Sequence, residues 1–167
     1  ITEAALIAAT RLLADRQIVL LVVTGTADFV TIEEKVRRLG IQAWQAGKML
    51  VRPYLYNMED ALAAADVVVT RAGATTLAEI TARGIPAVLI PSPYVTANHQ
   101  EHNARALANQ GAAVMIRQQE LTGELLAETI EKLLANPEGL AAMAAAARSL
   151  GRRNAAHILV QEVLKLT

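Results

Sequence analysis

Residues 66–84 have the sequence DVVVTRAGATTLAEITARG, which gives the clearest indication of the fold. The first part is a short β-branched run of the kind found in strands that are covered on both faces. A glycine-containing loop follows, and then a helical pattern that ends at Gly84, where glycine is favoured after a helix. This stretch therefore predicts a strand, a tight loop and a helix in immediate succession.

The same alternation continues along the rest of the chain. Apolar strand patterns lie at 18–23, 48–53, 66–70, 86–90 and 112–116. Helical patterns lie at 2–14, 31–39, 57–65, 75–83, 98–109, 122–135, 137–150 and 152–166. The spacing Thr31-x-x-Glu34 is a capping-box signature, and it predicts that the second helix begins at Thr31. Together the patterns predict an α/β fold: a three-layer, Rossmann-like parallel sheet of about five strands with helices on both faces.

Composition narrows the class of protein. A length of 167 residues suits one domain, and a hydrophobic share of 53% allows a buried core. Sixteen basic and sixteen acidic residues cancel, which argues against a basic surface for nucleic acid. The chain has no cysteine for a disulfide or a thiolate metal site, and no apolar run reaches the roughly 18 residues that cross a bilayer. We expect a cytoplasmic protein.

The loop after the strand at 66–70 is the first candidate site, because ligands of parallel α/β sheets bind outside the carboxyl ends of the strands. Gly73 permits a positive φ and lets a ligand approach the backbone without a Cβ in the way. The amides of Ala74, Thr75 and Thr76 lie at a helix N-terminus, where free donors and the helix dipole favour phosphate. Glu79, one turn deeper, is able to accept both hydroxyls of a ribose. The loop is therefore a candidate nucleoside-diphosphate site.

A purely structural interpretation of this loop stays open. Thr76 and Glu79 have the capping-box spacing, so the pair could simply close the helix. A capping glutamate should point back at its own N-terminus, whereas a ribose-binding glutamate should point into the cleft.

The second candidate is the long polar loop at 92–103. Its neutral hydrogen-bonding side chains are of the kind that read sugar hydroxyls: Asn98, His99, Gln100 and Asn103. Alternatively, Asn98 is an N-cap with Glu101 as its capping-box partner, and the histidines are surface residues. A metal held by His99 and His102 is not expected, because the spacing places no third ligand.

The third candidate is the loop at 54–58, between a strand and a helix. Its apolar side chains and free backbone groups suit a flat base, whose edge would pair with main-chain N–H and C=O groups. Leu55 and Met58 are equally compatible with a place in the core, which is the commoner fate of such residues. Neither the dinucleotide fingerprint, nor the phosphate-binding loop of NTPases, nor the serine nucleophile elbow occurs in the sequence.

At these loops the sequence resembles the donor-binding domain of glycosyltransferase family 28, and within it the peptidoglycan N-acetylglucosaminyltransferases. The resemblance runs from about Ile18 to the terminal helix. It is carried by Arg71-Ala72-Gly73-Ala74-Thr75-Thr76-Leu77-Ala78-Glu79-Ile80, Gly84-Ile85-Pro86-Ala87, Asn98-His99-Gln100 and Gly111-Ala112-Ala113. It implies a GT-B enzyme, in which two Rossmann-like domains face each other across a cleft and the C-terminal one binds the donor.

The resemblance also implies a role for each matching residue. Leu55 would meet uracil through its backbone and Met58 would line the same pocket. The Gly73 loop would present Ala74, Thr75 and Thr76 to the diphosphate and sugar, and Glu79 to the ribose. Gln100 and Asn103 would bind N-acetylglucosamine, with His99 standing where some relatives have glutamine. No metal or other cofactor is implied.

The implied activity is inverting transfer of N-acetylglucosamine from UDP-N-acetylglucosamine to undecaprenyl-pyrophosphoryl-N-acetylmuramoyl-pentapeptide, lipid I, which yields lipid II. Because the chain begins at Ile1 inside a helical pattern, we expect residues 1–167 to be one donor-binding domain whose start and acceptor-binding partner domain lie upstream. That missing domain would hold the lipid-linked acceptor, the general base and the peripheral contact with the inner face of the cell membrane. No catalytic residue is identified in this chain.

Three other functions are compatible with the same residues. One is the catalytic subunit of a two-chain, dolichol-linked N-acetylglucosaminyltransferase, which would be found with a partner chain. Another is an epimerase of UDP-N-acetylglucosamine, which would need an acid/base set within this chain. The third is a non-catalytic nucleotide-sugar-binding module, which would bind the nucleotide fully without a second domain.

Overall fold

The computed structural model describes residues 1–14, 17–38 and 47–166. The described strands are β1 (Leu20–Val23), β2 (Met49–Arg52), β3 (Val68–Thr70), β4 (Ala87–Leu89) and β5 (Val114–Met115). The described helices are α1 (Thr2–Leu12), α2 (Phe29–Arg38), α3 (Met58–Ala64), α4 (Ala74–Arg83), α5 (His99–Asn109), α6 (Gly123–Leu134), α7 (Pro137–Leu150) and α8 (Ala155–Leu164).

The chain divides into two compact units, each with its own parallel sheet and its own core. The first comprises Ile1–Ala61 and Gln118–Asn136, and the second comprises Leu62–Arg117 and Pro137–Thr167. All strand pairs are parallel: β1 with β2 in the first unit, and β3 with β4 and β4 with β5 in the second. The α/β class, with parallel sheets flanked by helices, is confirmed.

The first unit buries one side of its two-stranded sheet against α1 and α2. Its core residues come from both helices and both strands: Leu6, Ala9, Leu13, Val22, Ile32, Val36, Met49 and Val51. The continuous apolar run at 18–23 predicts a strand that is covered on both faces. Leu21 and Val23 of β1 stay 39% and 40% exposed, so that prediction is wrong for β1. Side chains alternate across a strand, and the described residues of this unit bury one face more completely than the other.

Helices α1 and α6 of the first unit pack against each other at a glycine. A Cβ at Gly123 would collide with the side chain of Ile7, so only glycine allows α6 to begin this close to α1. Thr122 caps α6 by accepting a hydrogen bond from the Leu125 amide at 3.1 Å. Arg11 and Glu131 add a hydrogen-bonded ion pair between the same helices.

In the second unit, β4 is the central strand, and Ala87, Val88 and Leu89 are fully buried. This is the burial that a continuous apolar run predicts for a parallel strand. Helix α4 ends at Gly84, which has a φ of +70° and donates its amide to the carbonyl of Ile80 at 2.8 Å. The left-handed conformation is the reason for glycine here, and the prediction of a glycine stop is confirmed.

The start of α2 corrects one prediction. The helix begins at Phe29, and the Ile32 amide bonds to the carbonyl of Asp28 at 3.0 Å. Thr31 therefore lies inside the helix, and the predicted capping box with Glu34 is wrong. The predicted end of this helix, Leu39, lies outside the described residues.

No helix in the described ranges is both long enough and apolar enough to cross a membrane.

Candidate functional site

The N-terminus of α4 presents three consecutive amides that have no partner among the described residues. Gly73 is the N-cap, and its carbonyl accepts the first helical hydrogen bond from the amide of Leu77 at 2.9 Å. The amides of Ala74, Thr75 and Thr76 precede that bond, so the helix itself offers them no acceptor. In the described part of the chain no other group accepts from them. The helix end is therefore ready to bind an anion through its backbone.

The conformation of Gly73 is extended. Its φ is −71° and its ψ is 142°, the extended backbone typical of an N-cap, so the positive φ that glycine permits is not adopted here. The chain enters α4 directly from an extended segment and needs no left-handed turn. The missing side chain matters in another way, because a Cβ here would have only Thr76 Oγ1, at 4.0 Å, within reach. Open space therefore lies beside the backbone, as the close approach of a ligand requires.

Glu79 does not close its own helix. Because Gly73 is the N-cap, Thr76 is the third helical residue rather than the cap, and no side chain caps α4. The capping-box interpretation of Thr76 and Glu79 is therefore wrong. Glu79 is exposed, and the described ranges offer its carboxylate no hydrogen bond or ion pair. That carboxylate is free to accept hydrogen bonds from a ligand, and its ribose role stays a prediction.

The second loop lies against the first. The amide of Asn103 donates to the carbonyl of Ala72, the residue before Gly73, at 3.2 Å. The oxygen Oε1 of Gln100 accepts from the amide of Ser92 at 2.9 Å. The structure thus joins the start of α5 to the start of α4, and it sets the orientation of two of the predicted sugar-binding amides.

His99 and Asn98 occupy the turn before α5. The ring nitrogen Nδ1 of His99 lies 2.9 Å from the carbonyl of Thr96, a hydrogen bond in which the ring donates. Asn98 stands at the N-cap position, but its side chain does not cap the helix and instead donates to Glu101 Oε2 at 2.7 Å. The predicted side-chain N-cap is therefore wrong. Among the described residues, no three acidic or histidine side chains cluster as metal ligands do.

Arg71 belongs to the family motif, but no role is predicted for it from the sequence, and in the structure its role is structural. Its Nη1 donates to the carbonyls of Ile90 and Pro91 at 3.1 and 3.3 Å. Arg71 follows β3 and these carbonyls follow β4, so the side chain ties together the two loops that carry the candidate site. Burial lowers the pKa of the guanidinium, and Tyr94 acts in the opposite direction. A cation directly after the apolar strand pattern at 66–70 was the available sequence signal for this role.

Leu55 and Met58 belong to the first unit. Neither is part of its buried core: Leu55 is half-buried, and Met58 is 39% exposed. The neighbouring rings of Tyr54 and Tyr56 meet edge to face, with their centres 5.2 Å apart. The alternative that both aliphatic side chains are fully buried is wrong, and their role toward uracil stays a prediction.

A hollow of about 650 Å³ in the second unit lies at the opposite end of the strands. It is lined by residues that precede β3 and β4, such as Asp66 and Pro86, and by Arg148 and Arg153. Each arginine donates to one of the last carbonyls of α4: Arg148 to that of Arg83 at 3.2 Å and Arg153 to that of Ala82 at 2.7 Å. These arginines therefore complete the end of a helix. The hollow contains none of the predicted site residues.

Comparison with known proteins identifies the family. Residues 2–159 match the model of the glycosyltransferase family 28 C-terminal domain. Two similar relatives are named UDP-N-acetylglucosamine--N-acetylmuramyl-(pentapeptide) pyrophosphoryl-undecaprenol N-acetylglucosamine transferase. The one from Moorella thermoacetica is 51% identical over 146 residues, which are 87% of this chain and 39% of the relative. The one from Desulforamulus reducens is 46% identical over 152 residues, 91% of this chain and 41% of the relative.

A solved structure has the same fold. The crystal structure of MurG from Acinetobacter baumannii superimposes with a TM-score of 0.79 and 27% identity. The match covers 98% of this chain and 45% of MurG. The chain thus spans about two-fifths of the length of its relatives, and by the match over residues 2–159 it belongs to glycosyltransferase family 28, through that family's C-terminal domain.

Proposed function

We propose that this chain is the donor-binding half of an inverting N-acetylglucosaminyltransferase of peptidoglycan synthesis. The donor is UDP-N-acetylglucosamine, and the acceptor is undecaprenyl-pyrophosphoryl-N-acetylmuramoyl-pentapeptide, held by a second domain. The observation that carries the proposal is the exposed start of α4. Three of its amides have no partner among residues 1–14, 17–38 and 47–166, open space lies beside Gly73, and the carboxylate of Glu79, one turn deeper, is likewise unpaired in those ranges. The names of the two relatives support the choice of donor and acceptor.

The amides of α4 would bind the donor diphosphate. Free N–H groups and the positive end of the helix dipole stabilise a phosphate at this position. They would act most strongly in the transition state, when the bond from the anomeric carbon to the phosphate oxygen breaks and its electron pair moves onto the diphosphate. The acceptor hydroxyl would form the new bond from the opposite face and give its proton to a base outside this chain.

The remaining predicted site residues would bind the ribose, the N-acetylglucosamine and the uracil of the donor. The exposed carboxylate of Glu79 would accept the two ribose hydroxyls, and the oriented amides of Gln100 and Asn103, with His99, would bind the N-acetylglucosamine. Leu55 and Met58 would contact the uracil. We propose that no metal ion takes part in donor binding, because the helix amides supply the compensating positive charge. Donor affinity measured in EDTA should then equal that measured with Mg²⁺.

We also propose a place for the whole enzyme in the cell. An acceptor with an undecaprenyl chain resides in a membrane, while a UDP-sugar is a water-soluble compound of the cytoplasm. The enzyme would therefore work at the inner face of the cell membrane as a peripheral protein, with its membrane contact on the acceptor-binding domain.

A chimera tests the proposed activity. This chain replaces the matching segment of the Moorella thermoacetica relative, and transfer of radiolabelled N-acetylglucosamine to the lipid-linked acceptor is measured. The chimera should transfer the sugar, and a chimera with Glu79→Gln should be strongly impaired although equally folded. A folded chimera that binds the donor and transfers nothing would contradict the proposal and favour a nucleotide-sugar-binding module.

A further inference from the structure

Glu101 connects the start of α5 to three other groups. Its Oε2 accepts a hydrogen bond from Asn98 at 2.7 Å. Its Oε1 accepts from Arg105 Nη2 at 2.5 Å and from Arg117 Nε at 3.3 Å. Arg105 lies one helical turn further on and Arg117 follows β5, so one half-buried carboxylate links the turn before the helix, the helix itself and the end of a strand.

The turn that Glu101 contacts has an unfavourable backbone. Ala97 and Asn98 have φ values of 52° and 50°, in the left-handed region that side chains disfavour. Asparagine tolerates this region better than alanine, and the side chain of Asn98 gains its hydrogen bond from Glu101 rather than from the helix. The carboxylate therefore stabilises this turn through Asn98, beside the hydrogen bond from the His99 ring to the carbonyl of Thr96.

The same turn determines where the predicted sugar-binding groups begin. His99 and Gln100 are the first two residues of α5, directly after the left-handed pair. The Gln100 side chain is oriented by Ser92, and the Asn103 side chain by Ala72. A shift of the turn would move His99 and Gln100 relative to the start of α4, because Asn103 holds only the second turn of α5 in place.

We propose that Glu101 is a positioning residue for the sugar of the nucleotide-sugar donor. It acts through Asn98 and the first turn of α5, without touching the ligand. The inference rests on the proposed function, because it assumes that α5 binds the sugar while α4 binds the diphosphate. It predicts an effect on sugar recognition and none on nucleotide recognition. The hydrogen bond from Asn98 and the two arginines lower the pKa of the Glu101 carboxyl.

The test compares two ligands that differ only in the sugar. Affinities of the whole chain for UDP-N-acetylglucosamine and for UDP are measured by calorimetry for the wild type, Glu101→Ala and Glu138→Ala. Glu138 is the matched control, an exposed glutamate in the first turn of α7 in the same unit. We expect Glu101→Ala to weaken UDP-N-acetylglucosamine binding about fivefold and UDP binding by less than about twofold. Glu138→Ala should change neither affinity.

The possible outcomes separate the inference from the proposed function. An unchanged ratio of the two affinities in Glu101→Ala, or an equal loss of both, would overturn the positioning role. A wild-type chain that binds neither ligand at millimolar concentration would overturn the proposed function and the inference with it. If Glu101→Ala does not fold, Glu101→Gln carries the test. It keeps the Oε1 acceptor, so it should fold and reduce the ratio by about twofold, and an unchanged ratio would again contradict us.

Discussion

At the scale of single residues, a substitution at Glu79 should affect ligand binding without affecting stability. The side chain is exposed and has no partner in the described part of the chain, so its removal should not affect the fold. We expect Glu79→Gln to weaken binding of UDP about 10- to 100-fold, because an uncharged amide replaces the carboxylate that accepts the ribose hydroxyls. The melting temperature should not change. Calorimetric titration and thermal melting measure the two quantities, and a variant that binds UDP normally would exclude the ribose role.

A substitution at Gly73 should likewise affect ligand binding more than stability. Its backbone conformation suits alanine, and a Cβ would meet no protein atom closer than 4.0 Å. We expect Gly73→Ala to change the free energy of unfolding by less than about 1 kcal/mol, since the loss of an N-cap glycine is offset by a less flexible unfolded chain. Binding of UDP should nevertheless fall, because the methyl group occupies the open space beside the amides.

Gly84→Ala is the contrasting control for this prediction. At Gly84 the φ is +70° and a Cβ would lie 2.8 Å from Arg148 Nε and 2.9 Å from the carbonyl of Ala144. This variant should lose about 2 kcal/mol or more of stability through strain and overpacking. Equal stability of the two alanine variants, measured by urea denaturation, would show that the backbone assignment at one of these glycines is wrong.

At the scale of elements, the cap of α6 is directly testable. Thr122 Oγ1 accepts from the amide of Leu125, and α6 packs against α1 in the first unit. We expect Thr122→Ala to lower the free energy of unfolding by about 1 kcal/mol, because one amide loses its acceptor. Thr122→Ser keeps the oxygen and should behave as the wild type in thermal melts monitored by circular dichroism. Equal melting temperatures of all three proteins would contradict the assigned cap.

Some helix ends can be predicted from the sequence and others cannot. Gly84 marks the end of α4 and Pro137 the start of α7, because their backbone restrictions are local and independent of the rest of the fold. The capping boxes at Thr31 and Thr76 are wrong for one reason: the same four-residue spacing also occurs inside a helix that begins earlier. Spacing alone therefore does not identify the first residue of a helix.

The contacts that build the site are less accessible to sequence reasoning. The residues at the strand ends can be predicted, since parallel strands place their carboxyl ends at one edge. The links of Arg71 to Ile90 and of Asn103 to Ala72 join residues that are far apart in the chain, and no local pattern reports them. The same holds for the contact of Glu101 with Arg117.

At the scale of the whole molecule, stability should decline in acid. Three carboxylates have a pKa below the ordinary 4.5: the exposed Glu3 through Lys35, the half-buried Glu101 through Asn98 and its arginines, and the exposed Glu128 through Lys132. A pKa that is lower in the folded chain contributes stability above 4.5, and this contribution disappears as the pH falls through the lowered values. Thermal melts from about pH 7 to about pH 3 should show the decline, less steeply in Glu101→Gln. A melting temperature independent of pH would contradict these pairings.

We propose that the start of α4, rather than a metal ion or a basic surface, binds the diphosphate of a nucleotide sugar. Nuclear magnetic resonance of the ¹⁵N-labelled chain tests it most directly, because each backbone amide gives its own signal. On addition of UDP-N-acetylglucosamine in EDTA, the amide signals of Ala74, Thr75 and Thr76 should shift more than those at the start of α7, which serves as the internal control. Saturating ligand that leaves these three signals in place would contradict the claim.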